Sequence, residues 1–293
     1  MDNESFWYGP HIAFRPSDYG PAGTPINMNQ VPFSQSYKSI KEAVSHKVIS
    51  QYTKIDSLLK ILKSRTFLFN RIDKVNDIEE ADWLHINHLS ERVFISCFDH
   101  SDLKNESIPL WHIYTPKGWG ARISLHIREN QRIDELFVKD CVFNTNIPAK
   151  KCSWNRDNKD LIGYIRAYKC QDVMYLTDSE RDEQLLIGKN ESEIDFNMGV
   201  IAAYKNVGWK YENETRFVTV LSPTGDGVDE RFFDVSYFLL PIDFDVLEHI
   251  TITFDPWMSE EIKECLKHEI LSYSLDSKIY FEDSVYTNKI FRQ

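Results

Sequence analysis

Cysteine is scarce and poorly placed for cross-linking. The chain has five (Cys97, Cys141, Cys152, Cys170 and Cys265), an odd number with no CxxC pair. Reduced thiols in a cytoplasmic protein are therefore expected. No apolar run is long enough to span a bilayer, and no signal peptide is read at the start, so no membrane partner is expected. Positive charge is in deficit too, with 34 Lys and Arg against 45 Asp and Glu and a net charge of -11. That argues against a general, salt-driven grip on nucleic acid. It leaves room for one local basic site and suits a protein held by a basic partner. Internal repeats and low-complexity linkers are absent.

What is present is an ordinary globular composition, 42% hydrophobic and 27% charged over 293 residues. That length buries a sizeable core as one large domain or two small ones. Aromatics at 13% are high, which suits grooves and a thick sheet core. Gly and Pro cluster early: Met1 to Phe33 carries five Pro and three Gly. Residues 1–45 are accordingly expected to form an irregular arm lying on the body or on a partner, with a lid over a site as the alternative. Residues 46–293 are expected to form one domain.

The stretch from Trp209 to Leu221 is rich in aromatics, Thr and Val, without Gly or Pro, and reads as a strand. Alternation puts Trp209, Tyr211 and Phe217 on one face and Glu212, Glu214 and Arg216 on the other, which turns apolar at Val218 and Val220. Two carboxylates and a guanidinium on a face that becomes core are costly to bury unless paired. Taken alone, the pattern reads as a solvated sheet face with a cross-strand salt bridge.

Upstream, residues 47–53 read as a strand, and Ile55, Leu58, Leu59 and Leu62 recur at helical spacing. Thr53 to Asp56 offers a capping box. Gln51, Tyr52 and Thr53 thus stand where a strand hands over to a helix N-terminus, a place that favours polar or anionic ligands, although a structural turn explains it equally. Residues 66–69, 92–98 and 118–125 read as strands, with Gly118 and Gly120 marking a turn or close backbone packing. A helix is expected through Trp83 and Leu89. His85 and His88 lie one turn apart there without a third ligand, so no metal site is expected. Trp111 is either core or the wall of a pocket. Residues 138–144 and 172–176 look like strands, 178–195 an acidic solvated face, and a helix should run through Met198, Ile201 and Tyr204. A turn at 222–227 and a strand within 231–240 follow. The tail reads as strand (249–254), helix (258–271, N-capped by Ser259) and strand (278–281).

Several blocks, in order, resemble the bacterial family catalogued as domain of unknown function 2971. They are Gln51-Tyr52-Thr53 with Leu58 to Ser64; Asn76-Asp77 with Glu79 or Glu80; Phe94 to Phe98; Leu110 to Tyr114 with Gly120; and Lys205 with Trp209 to Arg216. Gln51 stands where that family usually has His, and Ile78 where it has Pro. The family in turn resembles ADP-ribosyltransferase toxins of the DarT type, whose signature is a His or Arg on an early strand, an aromatic or Ser on a middle strand and a Glu on a late one.

This resemblance implies an α+β fold with an ADP-ribosyltransferase-like split β-sheet flanked by helices. It implies NAD as co-substrate and a role as a toxin or anti-phage effector that modifies a nucleic acid or a protein, restrained by an antitoxin protein. Glu214 would stabilise the positive charge that develops when the nicotinamide–ribose bond breaks, with Glu212 beside it. Arg216 or Lys205 would keep Glu214 ionised. Gln51 and Thr53 would bond ribose hydroxyls. Tyr52, Trp111 or Tyr114 would stack on nicotinamide. Asn70, Arg71 and Ser96 would complete the NAD site, with Arg71 at the pyrophosphate. A hydrolase that consumes NAD or another nucleotide, and a non-catalytic binding module of the same fold, are the alternatives.

Overall fold

The computed structural model describes residues 44–77, 90–115, 118–137, 154–156, 159–161, 163–180, 189–190, 193–194, 202–223, 236–273, 278–287 and 289. The expected N-terminal arm up to residue 43, the helix through Trp83 with its two histidines, the strand at 138–144, Met198 and Ile201 of the expected helix, and the turn beyond 223 lie outside these residues.

The order begins with β1 (Val48–Lys54), α1 (Ile55–Ser64), β2 (Thr66–Arg71) and β3 (Val93–Asp99), then α2 (Ile108–Tyr114) and β4 (Gly120–Ile127). Two short hairpin partners, β5 (Trp154–Arg156) and β6 (Lys159–Leu161), precede β7 (Gly163–Asp172) and β8 (Met174–Leu176). A second pair, β9 (Lys189–Asn190) and β10 (Glu193–Ile194), leads to β11 (Tyr204–Asn206), which pairs with β8 in parallel. The chain closes with β12 (Glu214–Pro223), β13 (Tyr237–Pro241), β14 (Leu247–Phe254), α3 (Glu260–Leu271) and β15 (Ile279–Glu282). Among the described residues the protein is thus α+β, with few helices and one large, mostly antiparallel sheet of nine strands.

The sheet has a fork. One edge of β3 pairs with β12 along its length, from Glu214↔Asp99 to Val220↔Val93. The other edge is shared by two strands: β2 pairs with its start, through Asn70↔Ile95 and Arg71↔Phe94, and β1 touches only its end, at Ser50↔Asp99. Between those contacts β1 and β2 diverge, and the sheet opens over Ser96, Cys97 and Phe98. From the fork, β1 continues into β4, β14 and β15, and β2 into β13.

One face of the sheet carries the core. Phe67, Phe69, Phe94, Phe98, Phe217 and Phe238 pack there with Phe137. Helix α1 buries Ile55, Leu58, Ile61 and Leu62 against the same core, as the periodicity predicts. Its capping box does not form: Lys54 is the N-cap and makes no side-chain cap bond. Ser259 does occupy the N-cap position of α3, with Glu260 and Glu261 in the first turn, where negative charge is favoured.

Gly120 stands where β4 passes the end of α2. A Cβ there would overlap the Thr115 side chain, so the close packing expected of this glycine is real. Gly120→Ala is expected to cost about 1–3 kcal/mol through overpacking, seen as a lower urea midpoint at unchanged slope. An unchanged midpoint would mean that Thr115 moves aside freely.

Two element assignments differ from the sequence reading. Tyr204 starts β11 rather than continuing a helix, because Ala202 adopts a positive φ of 56° just before it. The chain from Val207 to Glu212 is a 3-10 helix, not strand. The Asn206 side chain accepts from the Gly208 N–H and starts the turn, and Asn213, at a left-handed φ of 42°, stops it. Asn tolerates both roles because its short amide bonds locally.

Candidate functional site

A cavity of about 620 Å3 lies at the fork of the sheet, within the size range of small-molecule sites. Residues 50–53 of β1, Ser57 and Lys60 of α1, Asn70 of β2, residues 95–99 of β3, Tyr114 of α2, and Lys205, Glu212, Glu214 and Arg216 line it. Strand alternation explains much of this set. Glu214 and Arg216 pair with Asp99 and Cys97, and Asn70 pairs with Ile95, so these side chains share one face of the forked sheet. The break in the sheet lets Gln51 and Thr53, which point to the other face, reach the same space.

The wall is a buried charge network. The Arg216 guanidinium donates Nε to Glu214 Oε1 at 2.6 Å and Nη2 to Glu214 Oε2 at 2.9 Å, while its Nη1 donates to the Ala202 carbonyl at 3.1 Å. Lys205 Nζ donates to Glu212 Oε2 at 2.6 Å and lies 3.4 Å from Glu214 Oε2. It also sits 4.6 Å from the centre of the Trp209 ring. The Tyr114 hydroxyl donates to Glu212 Oε1 at 2.9 Å, and the Glu214 backbone N–H donates to the Tyr175 hydroxyl at 2.8 Å. All four charged residues are less than a tenth exposed, so the solvated-face reading of this stretch is overturned. The Glu214–Arg216 pair forms along one strand rather than across two.

The two carboxyls differ in proton affinity. Burial alone would push Glu214 up, but Arg216, then Lys205, with the Cys97 thiol donating to it, hold it down at about 2. Burial pushes Glu212 above the usual carboxyl range against the pull of Lys205, and the neighbouring Glu214 charge adds to the rise. Burial and the Glu214 charge drive Cys97 well up, leaving a neutral thiol. An ionised carboxylate thus stands beside one that holds a proton more readily, both bonded to one ammonium.

Glu214 binds its proton less tightly in the folded protein than at its ordinary value of 4.5. Its contribution to stability is complete above that value and is lost as pH falls toward 2. Urea unfolding of the wild type is therefore expected to lose stability more steeply below pH 4.5 than Glu214→Gln does. Parallel pH profiles would contradict this.

The sequence-derived site is brought together in most of its parts. Glu212, Glu214, Arg216, Lys205, Gln51, Tyr52, Thr53, Asn70 and Tyr114 all border the cavity. Gln51 donates its amide to the Cys97 carbonyl at 3.0 Å, bridging the gap between β1 and β3. The Tyr52 hydroxyl accepts from the Ser107 N–H at 2.9 Å, so its ring is held in place at the cavity's edge.

Three residues stand elsewhere than expected. Arg71 falls on the opposite face of β2 from Asn70, is bonded through Nε to Asp73 at 2.6 Å, and does not line the cavity. Trp111 is fully buried and donates its indole N–H to Glu106 Oε2 at 2.8 Å, which makes it core rather than pocket wall. Ser96 borders the cavity, but it pairs with Phe217 and so points to the face opposite Glu214.

Cys97 and Asp99 face Glu214 instead, and sequence reasoning missed both. The available signal was alternation along β3, which gives odd-numbered residues to the face of Glu214. Asp99 is buried, with Oδ2 3.5 Å from Arg122, and burial raises its proton affinity. No family model, no curated protein and no solved structure matches the chain.

Proposed function

We propose that the protein is an NAD-dependent mono-ADP-ribosyltransferase with an ADP-ribosyltransferase-like split sheet. It acts as a toxin or anti-phage effector on a nucleic acid or protein acceptor and is restrained by an antitoxin protein. The resemblance of the motif order to domain of unknown function 2971 supports this. The observation that carries it is the placement of Glu214: an ionised carboxylate, fixed by Arg216 and Lys205, on the wall of a cavity opened by a forked sheet.

Breaking the nicotinamide–ribose bond sends the bonding pair to nicotinamide and leaves positive charge at the anomeric carbon. A fixed anion held in place beforehand stabilises that charge most where it develops. Glu214 takes this role, and Arg216 and Lys205 position it. Tyr114 and Tyr52 offer ring faces to nicotinamide, while Gln51, Thr53 and Asn70 offer hydrogen bonds to hydroxyls. Lys60, on the rim, takes the pyrophosphate place that Arg71 does not reach.

The placement of Glu212 beside Glu214, both within reach of the Lys205 ammonium, favours a second reading, NAD hydrolysis. Two neighbouring carboxyls whose surroundings push their proton affinities apart, Glu212 up and Glu214 down, resemble the acid and anion used on glycosidic bonds. Labelled NAD distinguishes the two. Transfer of ADP-ribose to a macromolecule supports the transferase, nicotinamide release without transfer supports the hydrolase, and intact NAD throughout removes both.

A further inference from the structure

We propose that His46, His100 and Asp172 form a binding site for a zinc-class divalent transition metal, on the face of the sheet opposite Glu214. The three come from distant parts of the chain: the lead into β1, the residue after β3 and the end of β7. His46 Nε2 lies 3.0 and 2.9 Å from the two Asp172 oxygens, and His100 Nδ1 lies 3.7 Å from Asp172 Oδ1. One donor atom from each residue falls within 4.8 Å of the others. Donors about 2.1 Å from a tetrahedral ion stand about 3.4 Å apart, so the spacing of the cluster is close to that of such a donor set.

Two imidazoles and one carboxylate are the ligand types that zinc and its neighbours take, with a fourth position left for water. The side chains are 20–43% exposed, so an ion has a way in. Asp172 is already oriented: the Thr215 hydroxyl donates to its Oδ1, a partner of the kind that fixes a ligating carboxylate. The two histidine rings are stacked, 4.1 Å apart and 10° from parallel. Parallel rings aim their lone pairs side by side, so one ring must turn about its Cβ–Cγ bond for both to meet one ion. Turning His100 releases its 2.9 Å contact with Thr215, while Thr215 keeps its bond to Asp172.

Alternation places the site behind the cavity wall, since Thr215 follows Glu214 and points the other way. A bound ion would tie together the lead into β1 and the ends of β3, β7 and β12, the strand ends that carry Asp99 and Glu214.

The test is titration of the metal-stripped full chain with Zn2+ by calorimetry and with Co2+ by visible absorption. The expected result is one equivalent bound, with affinity at least about tenfold weaker in both His46→Gln and Asp172→Asn. His46→Gln changes a half-buried ring ahead of β1, and unaltered circular dichroism establishes that it still folds. Absence of binding at stoichiometric metal would overturn the proposal. So would binding that neither substitution weakens, or a thiolate-to-cobalt charge-transfer band, which would place the ion on a cysteine such as the exposed Cys265.

Discussion

On the proposed chemistry, Glu214→Gln is expected to lower nicotinamide release from NAD by about 10^3-fold in the folded variant. Gln keeps the shape of the side chain and some of its hydrogen bonding but removes the charge. Loss of a single preorganised electrostatic group at a reacting centre costs about 10^2–10^3 in rate, and the buried setting of Glu214 puts it at the upper end. The same change leaves Arg216, 1% exposed, against a neutral amide. Stability therefore falls as well, by about 3–5 kcal/mol, because one member of a buried ion pair is left uncompensated. Rates must be compared at equal folded fraction, checked by near-ultraviolet circular dichroism. Glu212→Gln is the control. It keeps the Glu214–Arg216 pair, so it should retain measurable bond cleavage. A Glu214→Gln variant that is folded and turns over NAD at the wild-type rate would remove Glu214 from the chemistry.

Arg216→Met is expected to damage stability as much as Glu214→Gln. It removes both guanidinium bonds to Glu214 and the bond to the Ala202 carbonyl, leaving Glu214 with Lys205 at 3.4 Å as its cation. Breaking a buried pair from one side costs about 3–5 kcal/mol. The carboxyl would then rise in proton affinity, since burial is the largest influence on it and Arg216 the largest opposing one. The double variant Glu214→Gln/Arg216→Met should be more stable than the sum of the single losses predicts, because it removes both charges from the interior. Urea unfolding of the four proteins in the cycle measures this directly. Additive losses would mean that the two side chains act independently, contrary to their 2.6 Å contact.

Much of the site was legible where a single periodicity held. Strand alternation put Glu214 and Arg216 on one face, and they are ion-paired there. Helical spacing after Lys54 found α1 and its buried face. The expectation failed at Glu212, because strand propensity was read through Trp209 and Tyr211 while the local turn chemistry of Asn206 and Asn213 decided the backbone. Glu212 still reaches the site, carried there by the 3-10 helix rather than by alternation, and its 2.6 Å bond to Lys205 is shorter than the 3.4 Å contact of Lys205 with Glu214.

Arg71 and Trp111 were misplaced for a related reason. Residue type suggested a ligand, whereas facing sets the outcome: Arg71 lies one position out of phase with Asn70, and Trp111 turns inward to Glu106. The fork itself was not legible from the residues, since it depends on which short segment of β3 is left between β1 and β2. The His46–His100–Asp172 cluster was hidden by sequence separation. Asp172 lies 126 residues beyond His46, and no local motif joins positions so far apart.

The most direct test of the central claim is transfer of label from NAD, carried on the adenylate moiety, by the purified full chain into a cell lysate separated into protein and nucleic-acid fractions. Wild type and Glu214→Gln are run in parallel. The account predicts label in one fraction with the wild type and none above background with the variant. Label appearing equally with both proteins, or NAD left intact and unbound by the wild type, would contradict it, and Glu212, Glu214, Arg216 and Lys205 would then be a structural ion cluster at the fork of the sheet.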